Sequence, residues 1–441
     1  MPPKIQPRVP RGMRDILPQK MLQRQYVIGE IEQVFQRFGF EPLQTPVLEL
    51  SETLMGKYGE DAEKLIYDAK HREGKEDLSL RYDLTVPLTR VVSMYPELVK
   101  PFKRYQIAPV WRAERPQKGR YREFYQCDVD IVGSKSMLAD AEIVTVIYSA
   151  LKQLGFSSFV TNINNRKILT GIGQYAGVPN ELLGSLYRSI DKLGKIGSDG
   201  VRDEMAKSQI PANVIDKMMD LIAIPSGNFG EVRERLGDVL IAMEGLNELE
   251  QLATFLGDSG VPSTNYQFDL SMVRGLAYYT GPIYETVVVE PKIGSITGGG
   301  RYDELMGLFS NQSLPMTGTA FGMERIIDVM NELAMYPPSI SKTVTQVFVT
   351  VFNRDLAGTS IRIANELRIA GINTELGLEW EGLGKQLKYA AAKSIPYAVI
   401  IGPDENGGGK ATLRDLGTGE QTVAAQNELA QAIKSKVKSM S

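Results

Sequence analysis

Histidine and cysteine are almost missing from this chain: its 441 residues include one of each, His71 and Cys127. A lone thiol forms no internal disulfide, which fits a reducing compartment. Cys127 reads as a small buried hydrophobe. His71 stands in the polar run His71-Arg72-Glu73-Gly74-Lys75-Glu76-Asp77, an exposed loop. This scarcity rules out a Ser-His-Asp triad drawing its histidine from elsewhere in the chain, and any cage of His and Cys around a metal. A metal here would be a hard ion on oxygen ligands, such as magnesium carried by a nucleotide. Long apolar runs are lacking too. No stretch approaches the roughly 20 residues of a membrane span, and Met1-Pro2-Pro3-Lys4 lacks the apolar run of a signal peptide. A cytoplasmic protein with no membrane partner is expected. There is no basic excess either: the formal net charge is -3. Bulk charge therefore does not hold the chain to nucleic acid, while local basic surfaces stay open.

What is present suits a large buried core, with 43% hydrophobic and 23% charged residues. The length predicts two or three domains. Apolar residues at helical spacing run from about Lys20 to Phe38, and Gly39 fits the position after a helix end. The next segment, Phe40 to Glu49, holds Pro42 and Pro46, so it reads as an edge strand or extended arm. Strand-like runs follow at 78–82, 102–112 and 122–133, the last two forming a long hairpin around a basic loop. A helix is predicted at about Leu138 to Leu154. From about 167 to 257 the pattern is helical and charged, which predicts a helical insertion. Strand character returns at 266–270 and 284–289, before the glycine run Gly298-Gly299-Gly300 and a helix starting near Gly322. The fold class is α+β over residues 1–330. Residues 331–342, with Pro337-Pro338, read as a linker. In 343–441 strands and helices alternate, indicating a separate α/β domain with a mixed or parallel sheet.

Three segments carry chemistry. In Trp111 to Phe124 a strand runs into a loop with Arg112, Glu114, Arg115, Lys118 and Arg120, and Gly119 permits a tight bend. Guanidinium groups hold phosphate in bidentate fashion. An aromatic face such as Phe124 stacks on adenine, and a carboxylate accepts from its amino group. The bland reading of the same residues is a solvated charged hairpin. The second segment, Val273 to Gly281, sets Arg274 before the adjacent Tyr278 and Tyr279, as in a small-molecule pocket or a turn with buried aromatics. The third is Gly298 to Asp303 followed by Gly318 to Arg325. Its glycines allow close backbone approach, and Arg325 near a helix start suits phosphate.

In order and wording these segments resemble the histidyl-tRNA synthetases, a family of class II aminoacyl-tRNA synthetases. Glu41 to Glu49 looks like the first class II motif, with Pro46 as its interface proline. Arg112 to Phe124 resembles the second and Gly318 to Arg325 the third. Arg274 to Gly281 is similar to the signature of the histidine enzymes and their close relatives, with Ala277 where many members carry an acidic residue. Asp83-Leu84-Thr85 and Gln126 to Asp130 match as well. The likeness runs from about Arg11 into the C-terminal domain. It implies a class II catalytic domain on an antiparallel sheet, a helical insertion, and a C-terminal anticodon-binding domain. It further implies a homodimer that activates L-histidine with ATP and Mg2+ and transfers it to tRNA(His).

The resemblance also implies roles. Arg112 would bridge the ATP α-phosphate and the histidine carboxylate. Glu114 and Phe124 would hold adenine, and Arg120 and Arg325 the β- and γ-phosphates. Asp83, Leu84, Thr85, Gln126 and Asp130 would bind histidine, with Tyr278 and Tyr279 around its imidazole. Arg274 would stabilise charge on the α-phosphate. Two rivals share the likeness: the histidine-binding regulatory subunit of ATP phosphoribosyltransferase, and a synthetase-like domain that senses uncharged tRNA. The first usually lacks the C-terminal domain and the ATP-binding arginines, both present here. Intact Arg112, Glu114, Arg274 and Arg325 disfavour the second.

Overall fold

The computed structural model describes residues 5–58, 60–273, 278–309, 313–338, 340 and 342–438. The chain divides into two compact units: Val27–Met335 with the segment up to Asp15, and Tyr336 onward with Ile16–Tyr26. Among the described residues, no helix is long and apolar enough to cross a membrane.

An eight-stranded sheet organises the larger unit. Its spatial order is Glu41–Pro42, Phe102–Trp111, Glu123–Val132, Met316–Gly322, Ser295–Arg301, Pro282–Val288, Phe159–Asn165 and Tyr266–Phe268. Pairing is antiparallel except at the two edges, where Glu41–Pro42 and Tyr266–Phe268 pair in parallel. Pro42 sits on the edge strand and Pro46 outside any strand, as the missing proline N–H requires. The long hairpin forms as expected, with Arg104 opposite Asp130 and Gln106 opposite Asp128. Alternation sends Arg104, Gln106, Ala108 and Val110 to one buried face. Tyr105 points to the other, where its ring lies 5.6 Å from Phe35 of the helix Pro18–Arg37. The helix Met137–Gln153 starts at Ser136, whose hydroxyl accepts from the Leu138 amide at 3.2 Å. It buries Ile143, Val144, Ile147 and Leu151.

Six helices, from Arg166–Ala176 to Leu240–Asp258, stand between the parallel strands Phe159–Asn165 and Tyr266–Phe268. The first ends at Gly177, whose φ of 84° closes it in the left-handed region.

Three strands of this sheet were not expected as strands. Phe159–Asn165 carries Asn164 and Asn165 fully buried, which hides its strand character. Both are satisfied: Asn164 donates to the Leu270 and Met272 carbonyls, and Asn165 to Glu248 at 2.7 Å. Ser295–Arg301 and Met316–Gly322 are rich in glycine, which weakens a strand in isolation. Here the glycines are sterically required. A side chain on Gly299 would overlap the backbone at Gly318 and Thr319, and one on Gly318 would overlap the Asp130 carboxylate.

The smaller unit has a mixed five-stranded sheet in the order Thr374–Leu376, Val347–Val349, Tyr397–Ile400, Lys410–Asp415, Gln421–Ala425. The first three are parallel and the last two antiparallel, Gln421–Ala425 being a further strand unmarked in the sequence. Val347, Val349, Ile363, Leu367, Val399, Leu413, Leu429 and Ile433 form its own core.

Candidate active site

A cavity of about 1150 Å³ opens on the hairpin face of the large sheet. Its floor is charged. Arg104, fully buried, lies 2.7 Å from Asp130 and donates to the Leu84 carbonyl at 3.0 Å. Asp130 also accepts from the Tyr302 hydroxyl. Asp83 Oδ1 accepts from the Tyr58 hydroxyl at 2.9 Å and from the Thr85 and Val86 amides at 3.2 and 3.1 Å. These amides open the helix Thr85–Met94, so Asp83 satisfies two of its terminal donors. Asp83 Oδ2, Gln126 Oε1 and Asp128 Oδ1 are buried without a hydrogen-bond partner among the described residues. Buried acceptors of this kind cost free energy until a donor meets them. The pocket therefore suits a small ligand bearing N–H groups or positive charge.

Burial dominates the titration of this floor. It raises the Asp83 carboxyl, against the hydrogen bonds from Val86 and Tyr58 and the charge of Arg112. It raises Asp130 against Arg104 and the Tyr302 hydrogen bond. Asp128 is pushed up furthest, by burial and by the like charges of Asp130 and Asp83, with Arg104 opposing. A wall of tyrosines faces these acids: the Tyr278 and Tyr279 rings meet edge to face at 4.9 Å, and Tyr278 lies 5.7 Å from Tyr302. Burial holds the hydroxyls of all three above their ordinary range, so they stay protonated donors.

Asp128→Asn is expected to stabilise the protein at neutral pH. The folded Asp128 carboxyl lies above its unfolded value, so the folded chain holds a proton that the unfolded chain releases. Stability falls as pH rises from the unfolded carboxylate range through the folded value, and stays low above it. Asparagine removes that slope. The variant should melt higher than wild type by about 2 °C or more at pH 8, with the gap shrinking toward pH 5. A variant that melts lower at pH 8 would mean that Arg104 more than offsets the burial of this charge.

The other half of the cavity is basic. The Arg112 guanidinium lies 4.3 Å from the Tyr82 ring centre and 5.1 Å from that of Phe124. Its Nε donates to the Tyr82 carbonyl at 3.1 Å. Arg120 pairs with Glu114 at 3.1 Å across the loop, where Gly119 takes a φ of 70°. Arg325 stands in the first turn of the helix Met323–Glu332 and donates to the carbonyls of Gly119 and Ser295. From the insertion come Arg166, Arg188, Lys192, Lys195 and Lys207, which line the same cavity.

The structure thus brings together most residues singled out in the sequence. Asp83, Thr85, Gln126, Asp130, Tyr278 and Tyr279 line the acidic and aromatic half, and Arg112, Glu114, Arg120, Phe124 and Arg325 the basic half. Leu84 is the exception. Its side chain is fully buried against Ala108, Val110 and Phe124, so it packs behind the pocket and does not line it. Arg274 lies outside the described residues. Cys127 is buried and His71 exposed. Arg104, Asp128, Tyr58 and Tyr302 were missed. For Arg104 and Asp128 a signal existed: polar residues at period two, Arg104 and Gln106 on one hairpin strand and Gln126, Asp128 and Asp130 on the other. Tyr302 directly follows the glycine-rich segment, whereas Tyr58 left no local mark.

Comparison with known proteins agrees with this geometry. The family model described as Histidyl-tRNA synthetase matches residues 12–326, and that of an anticodon binding domain matches 346–436. A histidine–tRNA ligase of Cytophaga hutchinsonii is 40% identical over 94% of this chain and 96% of its own. One of Aeropyrum pernix is 42% identical over 97% of this chain and 98% of its own. The crystal structure of histidyl-tRNA synthetase from Nostoc superposes with a TM-score of 0.85 at 33% identity, covering 98% of this chain and 100% of that one. With a family model spanning most of its length and such relatives end to end, the chain belongs to the histidyl-tRNA synthetase family.

Proposed function

We propose that the chain is a histidine–tRNA ligase that joins ATP and L-histidine within this cavity and then charges tRNA(His). The observation that carries the reading is the meeting of an acidic, tyrosine-lined pocket and an arginine-rich loop at Arg112. The imidazole and ammonium groups of histidine are donors, and the partnerless oxygens of Asp83, Gln126 and Asp128 are acceptors for them. Asp130, already held by Arg104 and Tyr302, adds a fixed acceptor carboxyl. Thr85 and the two tyrosines complete the wall around the ring, with Leu84 as packing behind it.

ATP belongs in the basic half. Phe124 offers a stacking face for adenine and Glu114 an acceptor for its amino group. Arg120 would exchange Glu114 for phosphate, and Arg325 would hold the far end of the triphosphate. A histidine carboxylate oxygen attacks the α-phosphorus as the bond to pyrophosphate breaks, giving histidyl-adenylate. Arg112 reaches both reacting groups, and the family signature gives Arg274 the charge at the α-phosphate. Positioning and preorganised charge carry such a step, with no protein nucleophile. Mg2+ would ride on the ATP phosphates as a hard ion taking oxygen ligands. Among the described residues, no group of three or more His, Cys, Asp or Glu could hold a metal. A terminal ribose hydroxyl of tRNA then displaces AMP from the acyl carbon. The basic side chains of the insertion suit the approaching phosphate backbone.

We assign catalysis to residues 1–330, including the insertion at about 167–257, and anticodon binding to 343–441 beyond the linker 331–342. A cytoplasmic homodimer joined through the segment around Pro42 and Pro46 completes the reading. Light scattering at micromolar concentration should give twice the chain mass, and a monomer would count against the dimer. The primary test is ATP–pyrophosphate exchange with each amino acid in turn. Exchange is expected with histidine alone, and no exchange with histidine would overturn the assignment.

A further inference from the structure

We propose that Arg14, on the N-terminal segment, is a positioning residue for the triphosphate: it latches the basic hairpin loop to the start of the Met323–Glu332 helix. Arg14 does not line the cavity, but both residues it touches do. Its guanidinium lies 3.5 Å from the centre of the Tyr121 ring, and it forms an ion pair with Glu324. Tyr121 is the neighbour of Arg120, and Glu324 the neighbour of Arg325. The inference rests on the proposed function, in which those two arginines hold the β- and γ-phosphates.

The geometry around Arg14 is tight on both sides. The Arg122 amide donates to the Gly12 carbonyl at 2.9 Å, pinning the segment to the returning strand. Gly12 has a φ of 82°, and a Cβ there would lie 2.7 Å from Pro116 Cγ and 2.9 Å from Arg122 Cδ. Only glycine combines that backbone with that approach. Glu324 is 4% exposed and the Arg14 side chain 32%, so the carboxylate end of the pair is desolvated and the guanidinium end half-buried. Such a half-buried pair is screened less than one exposed on both sides. By contrast, the other ion pair between loop and helix, Lys118 with Glu332, is exposed on both sides. A planar guanidinium lies flat on a ring face while forking to a carboxylate, a geometry a lysine ammonium matches only in part. Two phosphate-binding arginines on separate elements need a fixed separation to act together, and Arg14 supplies the brace.

The test compares wild type, Arg14→Ala and Arg14→Lys by amide hydrogen exchange over 115–122 and by histidine-dependent pyrophosphate exchange. Arg14→Ala should lose loop protection and raise the KM for ATP by about tenfold, with the KM for histidine and kcat changed less than about threefold. Arg14→Lys should fall between the two. Unchanged loop protection in Arg14→Ala overturns the latch. Loosened protection with an unchanged KM for ATP overturns the positioning role. A fall in kcat with a rise in both KM values, melting lowered and no rescue by lysine, shows a merely structural residue and also overturns it. If wild type shows no histidine-dependent exchange, the functional reading fails, and loop protection still decides the latch.

Discussion

An Arg112→Ala protein is expected to lose histidine-dependent pyrophosphate exchange by about 100-fold to 1000-fold while remaining folded. Removing one preorganised donor from a transition state typically costs that much. Arg112 is held for such a task from three directions: the Tyr82 ring at 4.3 Å, the Phe124 ring at 5.1 Å, and the Tyr82 carbonyl taking its Nε at 3.1 Å. One edge of the guanidinium is thereby anchored, and the cavity it lines leaves the other for substrate. The loss should fall on kcat as well as on KM, because charge on the α-phosphate grows during attack. Lysine should rescue poorly, since it lacks the fork that spans a phosphate and a carboxylate. Arg274→Ala should also cost about 100-fold or more. That second expectation rests on the family signature, and the first on geometry as well. Near-normal exchange by folded Arg112→Ala would remove Arg112 from the reaction.

How much of this was legible beforehand follows physical lines. Helices with a buried stripe, such as Pro18–Arg37 and Met137–Gln153, announce themselves by spacing. So does the hairpin, two ten-residue runs rich in strand-forming residues on either side of a basic loop. Ser295–Arg301 does not, because what makes it a strand is its neighbours. Gly299 there makes room for the backbone at Gly318 and Thr319, as Gly318 on the next strand does for Asp130, an effect spread over strands far apart in sequence. The basic half of the site was legible where its residues cluster in the hairpin loop, whereas Arg166, Arg188, Lys192, Lys195 and Lys207 of the insertion left no such mark. The acidic half was legible only in part. Asp130 looks like any strand aspartate until the register sets Arg104 opposite it, and register is a property of two strands. Leu84 shows the reverse failure. Its motif identified the right place, but a residue just ahead of a helix start turned its side chain into the core.

Ending the chain near Ser341 is expected to lower aminoacylation of tRNA by about 100-fold or more while sparing part of the pyrophosphate exchange. All side chains that line the cavity lie between Asp83 and Arg325, within the larger unit. Activation therefore needs nothing chemical from the smaller one. Some loss is still expected, because Ile16–Tyr26 groups with the smaller unit and would lose its partners there. The smaller unit has its own core and a surface suited to unpaired bases. Trp380 is 59% exposed, with Arg354 at 5.6 Å from its ring, and Phe352 and Tyr389 are exposed as well. Stacking on an aromatic face is worth about 1–3 kcal/mol per base. Losing two such contacts accounts for about 100-fold in binding, at roughly 1.4 kcal/mol per factor of ten. The deletion should thus raise the KM for tRNA far more than it lowers the kcat of charging. Trp380→Ala in the full chain separates recognition from folding: charging at low tRNA should fall about tenfold while exchange stays at the wild-type rate. If deletion leaves tRNA charging intact, the smaller unit is not the anticodon reader. If Trp380→Ala alone has no effect, recognition lies on another face of it.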